Sequence, residues 1–346
     1  MNEKISEAKR KSYDSFDLFK FLAAIVVISA HTRIFGDSKY HWLHPWVRIA
    51  IPVFFMVSAF LFFSKYDSLP DEKKNSYLWK FVKRDLTLYL FWFIVFLPFT
   101  YVYRDYAHKG WQMVLGTIFL GSSFPASWYL MALAIGIVIV AKLNNGIGRW
   151  LLPVVAFLMY LVCLGQYTWR PLADKLGISG IYAIPDLRFA NNFFVAPIWI
   201  WIGRMFVAYQ DKLRAVSMKI VLLLFAVSLI LLWLEHHYLY SHGYFTMYND
   251  VYLLGLISGP ILFWIVLKLD IHLKYAKFMR CMSTLLYCIH ATFIEWLRIN
   301  VILPKFGEYE LPISLLCFFV TLAFSFGVGW LILKGSEKIK LLKYAY

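Results

Sequence analysis

A chain of 346 residues that is 61% hydrophobic and only 16% charged holds more apolar surface than a soluble domain, about 25% charged, can bury. With a mean hydropathy of +0.63, the composition excludes an ordinary soluble enzyme and leaves an integral membrane protein made mostly of helices. A formal net charge of +15 would point to nucleic acid in a soluble protein. In a membrane protein it follows from the excess of Lys and Arg on cytoplasmic loops, so no nucleic-acid partner is expected.

The polar start MNEKISEAKRKSYDSFD leads into a first apolar segment at 17–35. No A-x-A-like cleavage signal follows it, so it reads as a retained helix rather than a signal peptide. Further apolar segments lie at 46–64, 81–103, 126–142, 150–167, 190–208, 218–235, 250–268, 281–301 and 311–334. A short apolar piece at 111–121 reads as re-entrant or interfacial. Trp and Tyr cluster at the segment ends, as interface anchors do. With the N-terminus inside, the inner segments hold 24 of the 35 Lys and Arg and the outer loops 8, which places both termini in the cytoplasm. No internal repeat, soluble domain or linker is visible. The expected fold class is an all-α polytopic membrane helix bundle of about ten transmembrane helices. It forms one domain over 1–346, with cytoplasmic tails at 1–16 and 335–346.

On that topology the ionisable residues form a pattern. Lys20 and His31 are eleven residues apart, about three turns plus 20°, so they share one helix face roughly 16 Å apart along the axis. Asp17 lies about 40–60° around from both. An intramembrane stripe of this kind should face a bundle interior or a water-filled cavity; the plain alternative is one tolerated histidine above an ordinary charged helix start. Arg48 enters the second segment near the level of His31 and needs an anionic or carbonyl partner, unless it snorkels to the interface. Lys80, Lys83, Arg84 and Thr87 share a helical face at the inner start of the third segment. They could bind anionic lipid or cradle a polyanion such as a nucleotide cofactor. In the ninth segment, His290 lies deep, while Glu295 and Arg298, three residues apart, read as a local pair or as part of a site.

Other chemistries lack their signals. The cysteines Cys163, Cys281, Cys288 and Cys317 sit in apolar runs without a CxxC pair and read as small buried hydrophobes. His236, His237 and His242 fall in an expected outer loop at 236–249, with no carboxylate or cysteine at standard ligand spacing, so no metal is expected. GxxxxGK[ST], GxGxxG, HExxH and GxSxG motifs are absent.

Taken in order, these residues resemble the integral-membrane acyltransferase-3 family. Asp17, Lys20 and His31 match D-x-x-[R/K]-x10-H. Arg48, Pro52, Phe54, Phe55, Met56 and Ser58 match R-x-x-x-P-x-F-F-M-x-S. KRDLTLYLFW resembles the basic start of the family's third helix. SWYLMALA from Ser127 resembles its x-W-[FY]-L segment, IGRMF with Gly203 and Arg204 its sixth-helix end, and STLLYCIH from Ser283 to His290 its S-x-x-x-Y-x-x-H segment. The chain departs in having Lys20 where the family usually has arginine, which keeps the charge and loses the bidentate fork. Of the R-x-x-R at the third helix only Arg84 is present, with Phe81 in the first place, and Ala59 replaces a usual glycine.

The resemblance implies a membrane O-acyltransferase in a bacterial cytoplasmic membrane. It would move an acetyl group from cytosolic acetyl-CoA, the acyl donor, to a hydroxyl of a cell-envelope saccharide, possibly one that is lipid-linked. His31, Asp17, Arg48 and His290 are the expected catalytic residues, with His31 as general base or covalent acyl carrier. Lys20, Lys80, Lys83 and Arg84 are expected to bind the cofactor, and Trp128, Tyr129 and Glu295 the acceptor. The runner-up is a secondary transporter or exporter of an envelope glycan or small metabolite, which buried charges would also suit. A non-catalytic membrane scaffold would have no need of His31.

Overall fold

The computed structural model describes residues 13–35, 40–103, 123–183, 189–245, 251–307 and 310–346; the expected re-entrant piece at 111–121 lies outside them. Among the described residues there is no strand. The helices are α1 (Asp14–His31), α2 (His44–Arg48), α3 (Ala50–Tyr66), α4 (Asp71–Tyr103), α5 (Trp128–Leu143), α6 (Gly148–Gln166), α7 (Arg170–Lys175), α8 (Ala196–Ala215), α9 (Met218–Ser241), α10 (Gly255–Lys268), α11 (Ala276–Leu297), α12 (Leu303–Phe306) and α13 (Leu311–Gly335). Each expected apolar segment coincides with one of them. Among the described residues six stretches are long and apolar enough to cross a membrane: His41–Tyr66, Asp71–Val102, Gly148–Gln166, Met218–Ser241, Ala276–Phe306 and Leu311–Gly335. Helices α5 and α10 are apolar but shorter, and α1 and α8 carry more charge, Asp14, Asp17 and Lys20 in the one and Arg204, Asp211, Lys212 and Arg214 in the other.

Local chemistry explains the boundaries. Pro45, Pro197 and Pro312 sit in the first turns of α2, α8 and α13, where the missing N–H has no intrahelical partner to lose. Helix α4 starts ten residues before the expected membrane entry. Asp71 and Glu72 lie in its first turn, favourable against the helix dipole, and Lys74 bonds Asp71 at 2.8 Å. Its 33 residues span about 50 Å against a hydrocarbon core of about 30 Å, so a basic end projects beyond the bilayer. Helix α9 also outruns its apolar run. It carries His236 and His237 as helical residues and stops only before Gly243, whose φ of +71° is the left-handed conformation that ends helices. In the expected loop at 236–249, His236 and His237 are therefore in the last turns of a helix and His242 stands at its C-cap, while 246–249 lie outside the described residues.

Helix α3 is the centre of the bundle. Two thirds of its apolar window is buried, against about a fifth for α4, α9 and α13, and Phe55, Phe60 and Phe63 are fully enclosed. A helix that is apolar on all sides belongs in such a place. It packs along α8, while α1 packs along α11. Close approach of α3 and α8 rests on small residues, as membrane helix pairs often do. A Cβ on Gly203 would stand 2.8 Å from the Met56 carbonyl oxygen and 2.9 Å from the Ala59 Cβ. The next residue clamps the same joint: Arg204 donates from Nε and Nη2 to both Asp67 oxygens at 3.1 and 2.6 Å, from Nη1 to the Val140 carbonyl at 3.1 Å, and lies over the Phe63 ring. The IGRMF segment is thus a structural staple. Gly203→Val should cost about 1–3 kcal/mol of stability through overpacking, read as a lowered melting temperature in detergent. A melting temperature equal to wild type would show that the helices can part without cost.

Candidate functional site

The polar residues of α1 face α11, and the two helices run parallel. At one end Asp17, almost fully buried, accepts two bonds from Arg280, Nε to Oδ1 at 2.8 Å and Nη2 to Oδ2 at 2.6 Å. Asp14 accepts the Leu273 amide at 2.8 Å. At the other end the rings of His31 and His290 stand 5.1 Å apart at 58°. Between these two contacts, α1 and α11 bury an interior that is polar at both ends.

The Lys20 end is a cluster of mixed charge. Lys20 lies within electrostatic reach of Asp17, Arg84 and Arg280. Asp85, next to Arg84 on α4, is buried, has Oδ2 without a hydrogen-bond partner, and lies within reach of Arg84 and Lys20. Lys80, Lys83 and Arg84 are exposed around it. Three cations, Lys20, Arg84 and Arg280, therefore surround two buried carboxylates, with Lys80 and Lys83 adding positive charge at the rim. This arrangement suits the phosphates of an anionic ligand.

Aromatic residues line the way up. The Tyr129 ring lies tilted against Phe55 at 4.5 Å and edge-on to Tyr287 at 5.4 Å between centroids, and its hydroxyl is 3.4 Å from the Ser58 hydroxyl. The Tyr287 hydroxyl donates to the Ala126 carbonyl. Ala126 presents that carbonyl from a left-handed backbone, φ +63°, which costs a non-glycine residue about 1–2 kcal/mol. Tyr287 in turn lies 6.2 Å from His290. Ser283, Tyr287 and His290 fall at i, i+4 and i+7, one face of α11.

His290 is fully buried. Its Nδ1–H donates to the Leu286 carbonyl at 2.9 Å, which fixes the neutral tautomer. That leaves Nε2 as an unprotonated acceptor, and it has no hydrogen-bond partner. His31 keeps accessible surface and feels the charge of Arg48. Arg48 and Trp128 line one narrow cavity with Pro52, Phe55, Tyr160 and Trp199.

The fold thus gathers Asp17, Lys20, Tyr129, His31, His290, Arg48 and Trp128 along one column, with Arg84 exposed near Lys20 at its foot. Lys80 and Lys83 stay on the surface at its foot. Glu295 pairs with Arg298 at 3.8 Å on α11 beyond His290 and belongs to the column only by neighbourhood. The side chain that Asp17 grips is Arg280, not Lys20. Sequence reasoning missed Arg280, which stands just before an apolar run, and Asp85, an acid hidden in a basic stretch. It also missed His44, whose Nε2 accepts from Arg48 Nε at 3.2 Å. Among the described residues no group of three or more His, Cys, Asp or Glu is placed to hold a metal.

The Asp17–Arg280 pair is asymmetric, with Asp17 side-chain exposure of 4% against 60% for Arg280. Arg280→Ala strands a buried carboxylate, whereas Asp17→Ala frees an arginine that reaches water. Arg280→Ala should therefore lower the melting temperature more than Asp17→Ala. The reverse order, measured in one detergent, would mean the pair does not hold α1 against α11.

Residues 13–333 match the acyltransferase-3 family, described as an acyltransferase domain, and the chain belongs to that family. An amino-acid racemase of Enterococcus faecalis is 27% identical over 346 residues, covering 95% of this chain and 47% of that protein. A serine/alanine racemase of Enterococcus gallinarum is 25% identical over 293 residues, covering 79% of this chain and 40% of that protein. The chain spans less than half the length of these curated relatives. No solved structure matches it.

Proposed function

We propose that this acyltransferase-3 family member transfers an acetyl group from acetyl-CoA to a hydroxyl of a cell-envelope saccharide in a bacterial cytoplasmic membrane. The observation that carries the reading is the column itself. A cation cluster of Lys20, Arg84 and Arg280 lies at one end, a histidine pair at the other, and Lys20 and His31 are about 16 Å apart along α1. That separation matches an extended acyl-bearing arm held by its phosphates at the cytosolic end and offering its thioester at the other.

In this reading His31 takes the proton of the acceptor hydroxyl as the oxygen attacks the thioester carbonyl. His290 lies beside it, held by Leu286 in the tautomer that presents an acceptor at Nε2. Arg48 faces the negative charge that develops on the carbonyl oxygen. Collapse of the tetrahedral intermediate breaks the C–S bond, and the departing thiolate receives the proton that His31 took. Trp128, which shares the Arg48 cavity, together with Tyr129 would contact the acceptor, and Asp17 would act by fixing α1 through Arg280. Racemisation is not part of this reading, because more than half of each racemase lies outside its match to this chain.

The buried charges of the column would also suit a second reading, translocation of a small polar metabolite through the same interior. Acyl-CoA binding and turnover by the purified protein separate the two. For acyl transfer, wild type and His31→Ala should bind acetyl-CoA alike, with turnover about 10²–10⁴-fold lower in the variant. Lys20→Ala and Arg84→Ala should weaken donor binding, and Lys20→Arg should restore it. Full turnover in His31→Ala would remove the mechanism, and folded protein that binds no short acyl-CoA would favour transport.

A further inference from the structure

Arg48 bonds a histidine that is itself held from behind. Its Nε donates to His44 Nε2 at 3.2 Å. The His44 Nδ1 lies 3.0 Å from the Tyr252 hydroxyl, and the same hydroxyl lies 3.1 Å from His236 Nδ1. His236 Nε2 is then 3.1 Å from His41 Nδ1. His44, His236 and Tyr252 are buried, and the half-buried His41 ring lies flat on Tyr240 at 3.7 Å and 6°. Five side chains from the turn before α2, α2 itself, the end of α9 and the approach to α10 thus form one unbroken line, from the arginine beside His31 to the rim of the protein.

Hydrogen-bond chemistry sets the polarity of this line. A guanidinium has donors and no acceptor, so His44 Nε2 must accept, and a neutral His44 carries its proton on Nδ1. That proton goes to the Tyr252 oxygen. In the arrangement that keeps one direction down the whole line, Tyr252 gives its single hydroxyl proton to His236 Nδ1. His236 therefore carries its proton on Nε2 and gives it to His41 Nδ1. In this arrangement each link of the line pairs one donor with one acceptor. Flipping any one tautomer would set two donors or two acceptors face to face.

The backbone around the line is pinned independently. Glu235, buried beside His236, accepts the Leu253 and Leu254 amides at 2.8 Å each and the Trp169 indole N–H at 2.8 Å. It thus fixes α9 to the start of α10 at the level of Tyr252. The Tyr160 hydroxyl donates to the Tyr252 carbonyl at 2.7 Å, and Thr168 donates to the neighbouring Val251 carbonyl.

We propose that His44, Tyr252 and His236 are positioning residues that hold Arg48 toward His31 through a hydrogen-bond chain of fixed polarity. The inference rests on the acyl-transfer reading for its effect on turnover, and on the geometry alone for its tautomers. An arginine has several rotatable bonds and could swing to the outer interface; the bond from Nε to His44 restrains it, so the charge is closer to its place when an oxyanion forms.

Two measurements test it. Nitrogen-15 histidine spectra of the whole protein in nanodiscs, assigned with single His→Gln variants, should show the proton on Nδ1 at His44 and on Nε2 at His236. Arg48→Met should leave both as tautomer mixtures. The same tautomer at both sites in wild type, or no change in Arg48→Met, overturns the chain. In acetyl-CoA turnover, Tyr252→Phe, which keeps the ring, should lower kcat about tenfold with the donor KM unchanged. His44→Gln, which keeps an acceptor for Arg48, should retain more activity than His44→Leu. Wild-type kcat in Tyr252→Phe overturns the positioning role. His31→Ala run alongside separates the two ideas: full activity there would remove the acyl-transfer reading, while the tautomers would still decide the chain.

Discussion

The bond between Asp17 and Arg280 sets the register on which the site depends. From Asp17 to His31 is fourteen residues along α1, and from Arg280 to His290 ten along α11. The difference of four residues is about 6 Å of helix rise. An arginine side chain covers about that distance, and on a helix it leans toward the N-terminus, which on α11 is the direction of Asp17. Because the reach of Arg280 absorbs the difference, the two histidines come level at the far end. A one-turn slip of α1 past α11 would separate His31 from His290 and also leave a carboxylate buried without a partner.

The interior handles polar groups in two ways. Many buried hydroxyls bond to their own helix: Ser29 to Val26, Ser228 to Phe225 and Ser283 to Arg280. Such local bonds satisfy the group without linking elements. Ionisable residues instead bridge elements, as Arg204 does between α8, α3 and α5 and Glu235 between α9 and α10. In a medium without water these bridges lock helix positions that apolar packing alone would leave loosely specified. Asp85 Oδ2 and His290 Nε2 do neither, and both lie on the column. They are two of several buried polar atoms without a hydrogen-bond partner, Trp201 Nε1 and Thr292 Oγ1 among the others; on the column such an acceptor can receive a ligand's donor.

Much of this was legible in the sequence because it depends on one helix at a time. Hydropathy marked the segments that became helices, and the eleven-residue spacing of Lys20 and His31 put them on one stripe of α1. Both follow from the period of an α-helix and the cost of exposing charge to lipid. The ordered motifs, from Asp17 through His290, gave the family. Helix ends were less legible. Basic residues with good helix propensity carried α4 ten residues past its apolar limit, and His236 and His237 extended α9, since neither stretch contains a breaker.

Tertiary structure alone decided which stripes face each other. Arg280 lies 263 positions from Asp17 and Tyr252 lies 208 from His44, and no local periodicity links such pairs. Helix faces of similar hydropathy can pair in many ways. The choice is made by the few polar groups that must be satisfied inside a bundle that offers them no water, so the partners of Asp17 and Arg48 emerge only when all the helices are packed.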